Sequence, residues 1–356
     1  MPDAAPAMAI ATPAARFDPR SLVERPVATN AEELLAGSSA VEPLQHNDSK
    51  SGARIERVRI DGEWFVAKWL DLRGDWTMRA TGDLGCKTLQ LWEAGLLDAL
   101  PACINQPIVG VAHDPADGPG GYGTVLLMRD VGSYFVPEGD TMLTFEQHRS
   151  FIDHMACMHA TFWGFEDRWN LVPVANRYFE TSPWTAIAEA ERGSDALVPK
   201  LIAKGWNDLP TIAPNAAEVV MPLANDPCAL AFALEATPLT FVHGNWKLGN
   251  LGSDDAGRTV LVDWEAPGPG PGCGELAWYL ALNCRRVPES KEATITAYRD
   301  ALERYGVDTD PWFDVQCALA LLGALVQFGW EKALGGYDDE LAWWEARAIE
   351  GVRYLP

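Results

Sequence analysis

Two short stretches of this 356-residue chain hold side chains spaced for phosphoryl chemistry. The first is Phe241-Val242-His243-Gly244-Asn245-Trp246-Lys247-Leu248-Gly249-Asn250; the second, after a turn, is Val260-Leu261-Val262-Asp263-Trp264-Glu265. A loop ending in Asn, followed by an apolar strand ending in Asp, brings an amide oxygen and a carboxylate to one place. Magnesium takes hard oxygen ligands, keeps several waters and needs only one or two protein oxygens when it also binds phosphates. Asn250 and Asp263 are therefore the candidate metal ligands. Either alone has a structural reading, since Asn caps turns and Asp ends strands, but the pair at this interval favours a site.

The run His243-Gly244-Asn245 through Asn250 resembles the loop of the aminoglycoside phosphotransferase and choline kinase-like superfamily, relatives of the protein kinases, which usually reads His-Gly-Asp and ends in Asn. Val262-Asp263-Trp264-Glu265 looks like that family's metal-binding strand end, and Gly274-Glu275-Leu276-Ala277-Trp278 like the helix that follows it. The resemblance runs from residue 40 to the C-terminus. It implies a two-lobed, protein kinase-like α+β fold, with a small lobe of antiparallel sheet plus a helix and a larger, mainly helical lobe. It also implies ATP and Mg2+ as cofactors and a small-molecule hydroxyl as substrate. On this resemblance Asn245 orients the acceptor, Lys247 neutralises the transferred group, and Lys68 in Val66-Ala67-Lys68 reaches the nucleotide phosphates. His243 holds the loop rather than acting as a base. The polar stretch Asn47 to Ala53, with Ser51 and Gly52, stands where a phosphate-covering loop belongs, and Met128 to Asp130 where a strand leads into an adenine-binding hinge. Read without the family, these are a surface turn and a core strand. The usual Glu partner of the lysine is missing from its expected place, which reads Lys87-Thr88, leaving Glu93 as the carboxylate in the body of that helix.

Asn245 departs from the family pattern. An amide oxygen accepts a hydroxyl's hydrogen bond but is too weakly basic to take its proton, and a positioned general base is worth about 10²–10⁴ in rate. Three accounts stand at this point: a degenerate kinase-fold protein that binds nucleotide or metabolite without turnover, an engineered exchange, or a site that uses another base.

The acceptor side is less defined. Glu265, Glu275, Asp338, Asp339, Glu340 and Glu345 supply acidic groups and Trp264, Trp278, Trp343 and Trp344 aromatic faces, a combination suited to a cationic acceptor such as an amino-sugar or amino-alcohol; aromatic stripes at helical spacing are also ordinary core. With formal charge −22 and pI near 4.6, the chain repels phosphate backbones and anionic lipid, so nucleic-acid and membrane partners are not expected. The seven cysteines (Cys86, Cys103, Cys157, Cys228, Cys273, Cys284 and Cys317) are scattered with no Cys-X-X-Cys pair, which fits a reducing cytoplasm and no structural zinc.

The elements that must hold these residues are legible in outline. Residues 1–19 read as a small-residue, Pro-broken disordered tail, 20–130 as the nucleotide-binding lobe and 131–356 as the helical lobe with the loop and the substrate site. Ala53 to Ile60 and Glu63 to Leu70 alternate as strands around Asp61-Gly62, a hairpin turn. Helices are predicted over Ala31–Leu35, Gly82–Leu100, Thr144–Trp163, Pro183–Leu201, Ala216–Leu223, Glu289–Tyr305, Pro311–Leu334 and residues 338–350, with strands over Ile104–Ala112 and Thr124–Val131. The apolar run Cys317 to Val326 is half the length of a bilayer span and reads as a buried helix.

Overall fold

A computed structural model describes residues 16–44, 53–114 and 123–356. Ser51 and Gly52, expected at the phosphates, lie outside the described residues. The small lobe contains β1 (Ser38–Pro43), β2 (Arg54–Ile60), β3 (Glu63–Asp71), β4 (Ile104–Asn105), β5 (Ile108–Asp114) and β6 (Gly123–Arg129). All but β4 form an antiparallel sheet in the order β1-β2-β3-β6-β5. The β2–β3 hairpin turns through Asp61 and Gly62, both at positive φ, the conformation that matches a two-residue turn to strand twist. Strand alternation then sets the position of Lys68. Phe65, Ala67 and Trp69 face a small core with Val58, Ala112, Val125 and helix α1 (Ala31–Leu34), so Lys68 points from the opposite face toward the large lobe.

Two other helices complete this lobe, α2 (Trp76–Thr81) and α3 (Lys87–Glu93). The single helix expected over Gly82–Leu100 is not formed. Gly82, at φ +71°, ends α2, and Gly95, at φ +72°, ends α3 before a short 3₁₀ turn at Leu96–Ala99. A Cβ at Gly95 would lie 2.3 Å from the Val23 carbonyl oxygen, so the chain packs here as only glycine allows. The strand expected over Ile104–Ala112 is likewise broken at Pro107 into β4 and β5. Of the tail expected over residues 1–19, residues 1–15 lie outside the described residues; Phe17 packs tilted against Phe162 at 4.7 Å and its N–H donates to the Thr161 carbonyl.

The large lobe is built on α4 (Phe145–Thr161), flanked by α5 (Val174–Phe179), α6 (Pro183–Glu191), α7 (Leu197–Ile212), α8 (Pro214–Asn225) and α9 (Cys228–Glu235). The helix expected over Pro183–Leu201 is two, α6 and the start of α7, separated at Gly193, which has φ +71°. Short strands β7 (Thr240–Val242), β8 (Leu251–Ser253), β9 (Thr259–Leu261) and β10 (Gly268–Gly270) carry the loop motif, and α10 (Gly272–Asn283), α11 (Lys291–Arg304), α12 (Phe313–Leu334) and α13 (Asp339–Gly351) close the lobe. The expected two-lobed, kinase-like α+β architecture is therefore present. Helix α12 is long and apolar enough by length and composition to cross a membrane, but 83% of its apolar window is buried against neighbouring elements. All seven cysteines are free.

Candidate active site

Strand β7 leads into the loop and β8–β9 lead out of it, so residues 243–250 are held at both ends by sheet pairing. The floor of the loop is a buried carboxylate. Glu275, in the first turn of α10, accepts the backbone N–H groups of His243 at 3.2 Å and Gly244 at 2.6 Å. It also accepts from His159 Nε2 at 2.9 Å, and His159 Nδ1 lies 2.6 Å from the Tyr298 hydroxyl. These donors outweigh burial and hold the Glu275 pKa below its ordinary value. Gly244 adopts φ +81°, and a Cβ there would lie 2.1 Å from the Ala266 carbonyl oxygen, so any other residue would push the loop off its seat.

His243 is fixed as a structural group. Its Nδ1 accepts from the Asn245 backbone N–H at 3.2 Å, so Nε2 carries the proton and donates to the Val262 carbonyl at 3.0 Å. Burial pushes its pKa down, which keeps the ring neutral. The side-chain nitrogen of Asn250 donates to the Asn245 backbone oxygen at 2.9 Å, leaving the amide oxygen as the atom available to a cation. The Asn250 carbonyl in turn accepts from Val262 N–H at 3.2 Å, tying it to the residue beside Asp263.

Asp263 stands at φ +66°, a conformation uncommon for a residue with a side chain and one that turns the strand end sharply. Its Oδ1 lies 2.5 Å from Lys68 Nζ, 195 residues away and on the other lobe. Burial opposes both charges, but each outweighs that for the other: the lysine pKa is raised and the carboxyl pKa lowered. The Lys247 charge also acts to lower Asp263. Glu265, two residues on, has its pKa pushed up to about 7 by burial and by the neighbouring Asp263 carboxylate. Its Oε2 accepts the Asn245 side-chain N–H at 2.6 Å, whereas Asn245 Oδ1 is buried with no partner.

Lys68, Asp263, Asn250, Asn245 and Lys247 are thus brought together between the lobes. Glu93 is not part of this group: it is exposed at the end of α3. The small-lobe carboxylate whose charge reaches Lys68 is Asp75, which caps α2 by accepting from the backbone of Thr77 at 2.9 Å and Met78 at 3.2 Å. The sequence carried a signal for it, an N-cap Asp before Trp76-Thr77, but nothing tying that cap to residue 68. Met128 lies opposite Val66 at the end of β6, and Asp130 follows at the exit toward the large lobe. The Asp130 carboxylate holds Arg57 at 2.8 Å and the Gly132 N–H at 3.2 Å.

The acidic and aromatic residues named for a cationic acceptor do not converge. Trp264 and Trp344 are buried in the core, Trp343 is covered by Lys291, and Glu275 serves the loop. Asp338 caps α13, Glu340 bonds Lys291 and Trp344, and Glu345 bonds Ala216 N–H and Tyr337.

The donor set at 250 and 263 fits magnesium as one amide and one carboxylate oxygen, hard ligands both. Among the described residues no group of three or more His, Cys, Asp or Glu could hold a metal ion. A cation here would need phosphate oxygens and water to complete its shell.

No family model matches the chain, and no curated protein matches it in sequence. Among solved structures it is similar to choline kinase LicA from Streptococcus pneumoniae, at 14% identity and TM-score 0.49, over 90% of this chain and 96% of that one. It is also similar to a microcompartment-associated aminopropanol kinase, at 13% identity and TM-score 0.49, over 88% of this chain and 90% of that one. A third is a thermostable mutant of aminoglycoside phosphotransferase APH(4)-Ia in ternary complex with ADP and hygromycin B, at 15% identity and TM-score 0.42, over 91% of this chain and 96% of that one.

Proposed function

We propose that this protein is an ATP- and Mg2+-dependent phosphotransferase that acts on a hydroxyl group of a small molecule. The observation that carries the reading is the meeting of Lys68 and Asp263 at 2.5 Å across the two lobes, beside a loop that presents Asn245 and Asn250. In this reading Asn250 and Asp263 would hold the magnesium, which would neutralise phosphate charge. Lys68 leaves Asp263 for the nucleotide phosphates, Lys247 faces the transferred group, and the exit of β6 from Met128 to Asp130 borders the adenine. Phosphoryl transfer through a loose transition state rests on positioning and charge neutralisation, so a site without a strong base retains most of its means.

Asn245 supports an orienting role. Its Oδ1 is buried and unpartnered, and an acceptor hydroxyl would supply the missing donor. The hydroxyl oxygen forms the bond to γ-phosphorus as the bond to the ADP oxygen breaks. With an amide at 245 the hydroxyl proton leaves late, to an oxygen of the transferred group.

A second reading, a nucleotide- or metabolite-binding protein without turnover, is favoured by one feature, the amide where the family has its base. One comparison separates the two. ATP consumption is measured over a panel of sugars, amino-sugars, amino-alcohols and hydroxy acids for this chain and for Asn245→Asp, with nucleotide binding followed by thermal shift with and without Mg2+. Turnover in either protein supports the phosphotransferase. Mg2+-dependent binding without turnover in both supports the second reading, and absence of nucleotide binding in both rejects each.

A further inference from the structure

Behind Gly244 lies a small pocket of about 40 Å³, open at one side, between the loop, α5, α10 and α12. Its wall includes Arg177, Trp278, Glu275 and Gln327. Arg177 donates through Nε to the Ala266 carbonyl at 3.0 Å and through Nη1 to the Pro269 carbonyl at 2.8 Å, so the guanidinium is anchored to the segment that follows Glu265. Its Nη2 is buried with no acceptor, and among the described residues Arg177 forms no ion pair. Trp278 Nε1, in the same wall, is also buried with no acceptor.

Both groups are donors only, so whatever completes them must present oxygen lone pairs and not an ammonium. A buried N–H left without an acceptor costs about 1–3 kcal/mol, and more where the donor is charged. Glu275 bonds neither donor: its oxygens take the His243, Gly244 and His159 donors, and Arg177 Nη2 and Trp278 Nε1 stay unpartnered. The Glu275 and Asp167 charges act on the guanidinium through space without bonding Nη2, and a bound carboxylate would add the charge-assisted hydrogen bond that water or a neutral amide makes only weakly. The desolvated guanidinium, its pKa lowered to about 10 by burial, is a group that gains from an anion. The pocket wall includes Gly244, the residue next to Asn245, so the pocket adjoins the loop.

We infer that this pocket is the acceptor subsite and that Arg177 and Trp278 in it bind a carboxylate on the far side of the acceptor from its reacting hydroxyl. The substrate class is then small hydroxycarboxylic acids rather than cationic amino-alcohols. This rests on the phosphotransferase reading for the fate of the hydroxyl, but the binding claim is tested separately.

The probes are short hydroxycarboxylates, glycolate, lactate and 3-hydroxybutyrate, each paired with its neutral amide, and acetate as a carboxylate without a hydroxyl. Binding is measured by calorimetry and thermal shift on the full chain, with and without ATP and Mg2+, for wild type, Arg177→Gln and Trp278→Phe. At least one hydroxycarboxylate should bind and raise the melting temperature while its amide does not. Affinity should fall on the order of a hundredfold in R177Q and roughly tenfold in W278F, which removes one neutral donor and keeps the ring. ATP binding should be unchanged in both variants. If R177Q does not fold, W278F alone decides.

The inference is overturned if none of the carboxylates binds, if amides bind as well as acids, or if W278F binds as tightly as wild type. Equal binding of acetate and the hydroxycarboxylates with no ATP turnover would mark an anion site unrelated to the acceptor and would overturn it too. Loss of ATP binding in wild type would instead reject the phosphotransferase reading while leaving carboxylate binding to be read on its own.

Discussion

The side-chain N–H of Asn245 donates to Glu265 Oε2 at 2.6 Å, so the amide at 245 is matched to a neighbouring carboxylate. An Asp at 245 would set two acceptors against each other at that distance, and one would have to take a proton or move away. The amide is therefore a fitted part of this site. In N245D, stability should fall by about 1–3 kcal/mol, the usual cost of a buried acceptor that loses its donor. N245D/E265Q should recover most of it, because Gln restores a donor. Urea denaturation of the four proteins in the cycle measures this, and an N245D as stable as wild type would show that the 245–265 bond contributes nothing.

Lys68 and Asp263 test the interlobe contact. Their side chains are 14% and 31% exposed, so solvent screens the pair in part. Lys68→Met should cost about 1–3 kcal/mol, less than a fully buried pair would, because Asp263 retains some hydration. The larger effect should be functional: the Mg2+-dependent thermal shift with ATP should disappear, while the variant still melts cooperatively. Retained nucleotide binding in K68M would remove the lysine from the phosphate site.

The loop from His243 to Asp263 drew notice in the sequence because it combines particular residue types at fixed offsets in one local stretch. The β2–β3 hairpin was readable for a similar reason, with Asp61-Gly62 between alternating strands. What escaped the sequence depends on distance. Asp75 looks like a helix cap until β3 places Lys68 beside it, and Arg177 looks like a surface residue of a short helix until Ala266 and Pro269 close over it. The helix expected over Gly82–Leu100 failed because its leucines keep helical spacing across Gly95, while the contact with Val23 that stops the helix comes from elsewhere in the chain. The tryptophans were misleading as a cage because periodicity cannot distinguish a core stripe from a site wall, and Trp264 and Trp344 are core.

His154 offers a pH test away from the residues proposed to hold magnesium. Its Nδ1 lies 2.7 Å from the Thr259 hydroxyl, and burial lowers its pKa from the ordinary 6.5. The unfolded chain thus takes up a proton at a pH where the folded protein does not. The stability this residue contributes is present above about pH 6.5 and is lost as pH falls toward the folded pKa. Glu265, raised to about 7, acts with the opposite sign over part of the same range, so the total profile mixes the two. The difference between wild type and His154→Asn isolates the histidine: the wild type's advantage in melting temperature should shrink between pH 7.5 and 5.5. A gap that is constant with pH would mean that His154 is protonated equally in both states.

The small lobe's helices are fastened to the large lobe behind the site. Arg79 in α2 reaches Glu189 in α6 through Nε at 2.8 Å and Nη2 at 2.7 Å, and its Nη1 holds the Leu72 and Arg73 carbonyls at 2.7 and 2.6 Å. Asn176 bonds the Thr81 carbonyl at 2.9 Å and Lys87 the Asn170 carbonyl at 2.6 Å, so α2 and α3 are tied to the segment that carries Arg177. Glu189 is only 4% exposed, and removing Arg79 leaves it the longer Arg192 contact at 3.9 Å, so the loss should approach the cost of a stranded buried charge, about 3–5 kcal/mol, without reaching its upper end. Arg79→Met should therefore destabilise the protein strongly, and R79M/E189Q should be more stable than R79M because the stranded charge is gone. Asp75 caps α2, so a loosened α2 also moves the carboxylate that faces Lys68. Nucleotide affinity should accordingly fall in R79M and stay low in R79M/E189Q even as stability returns. If affinity instead follows stability through both variants, the contact holds the fold together without positioning the site.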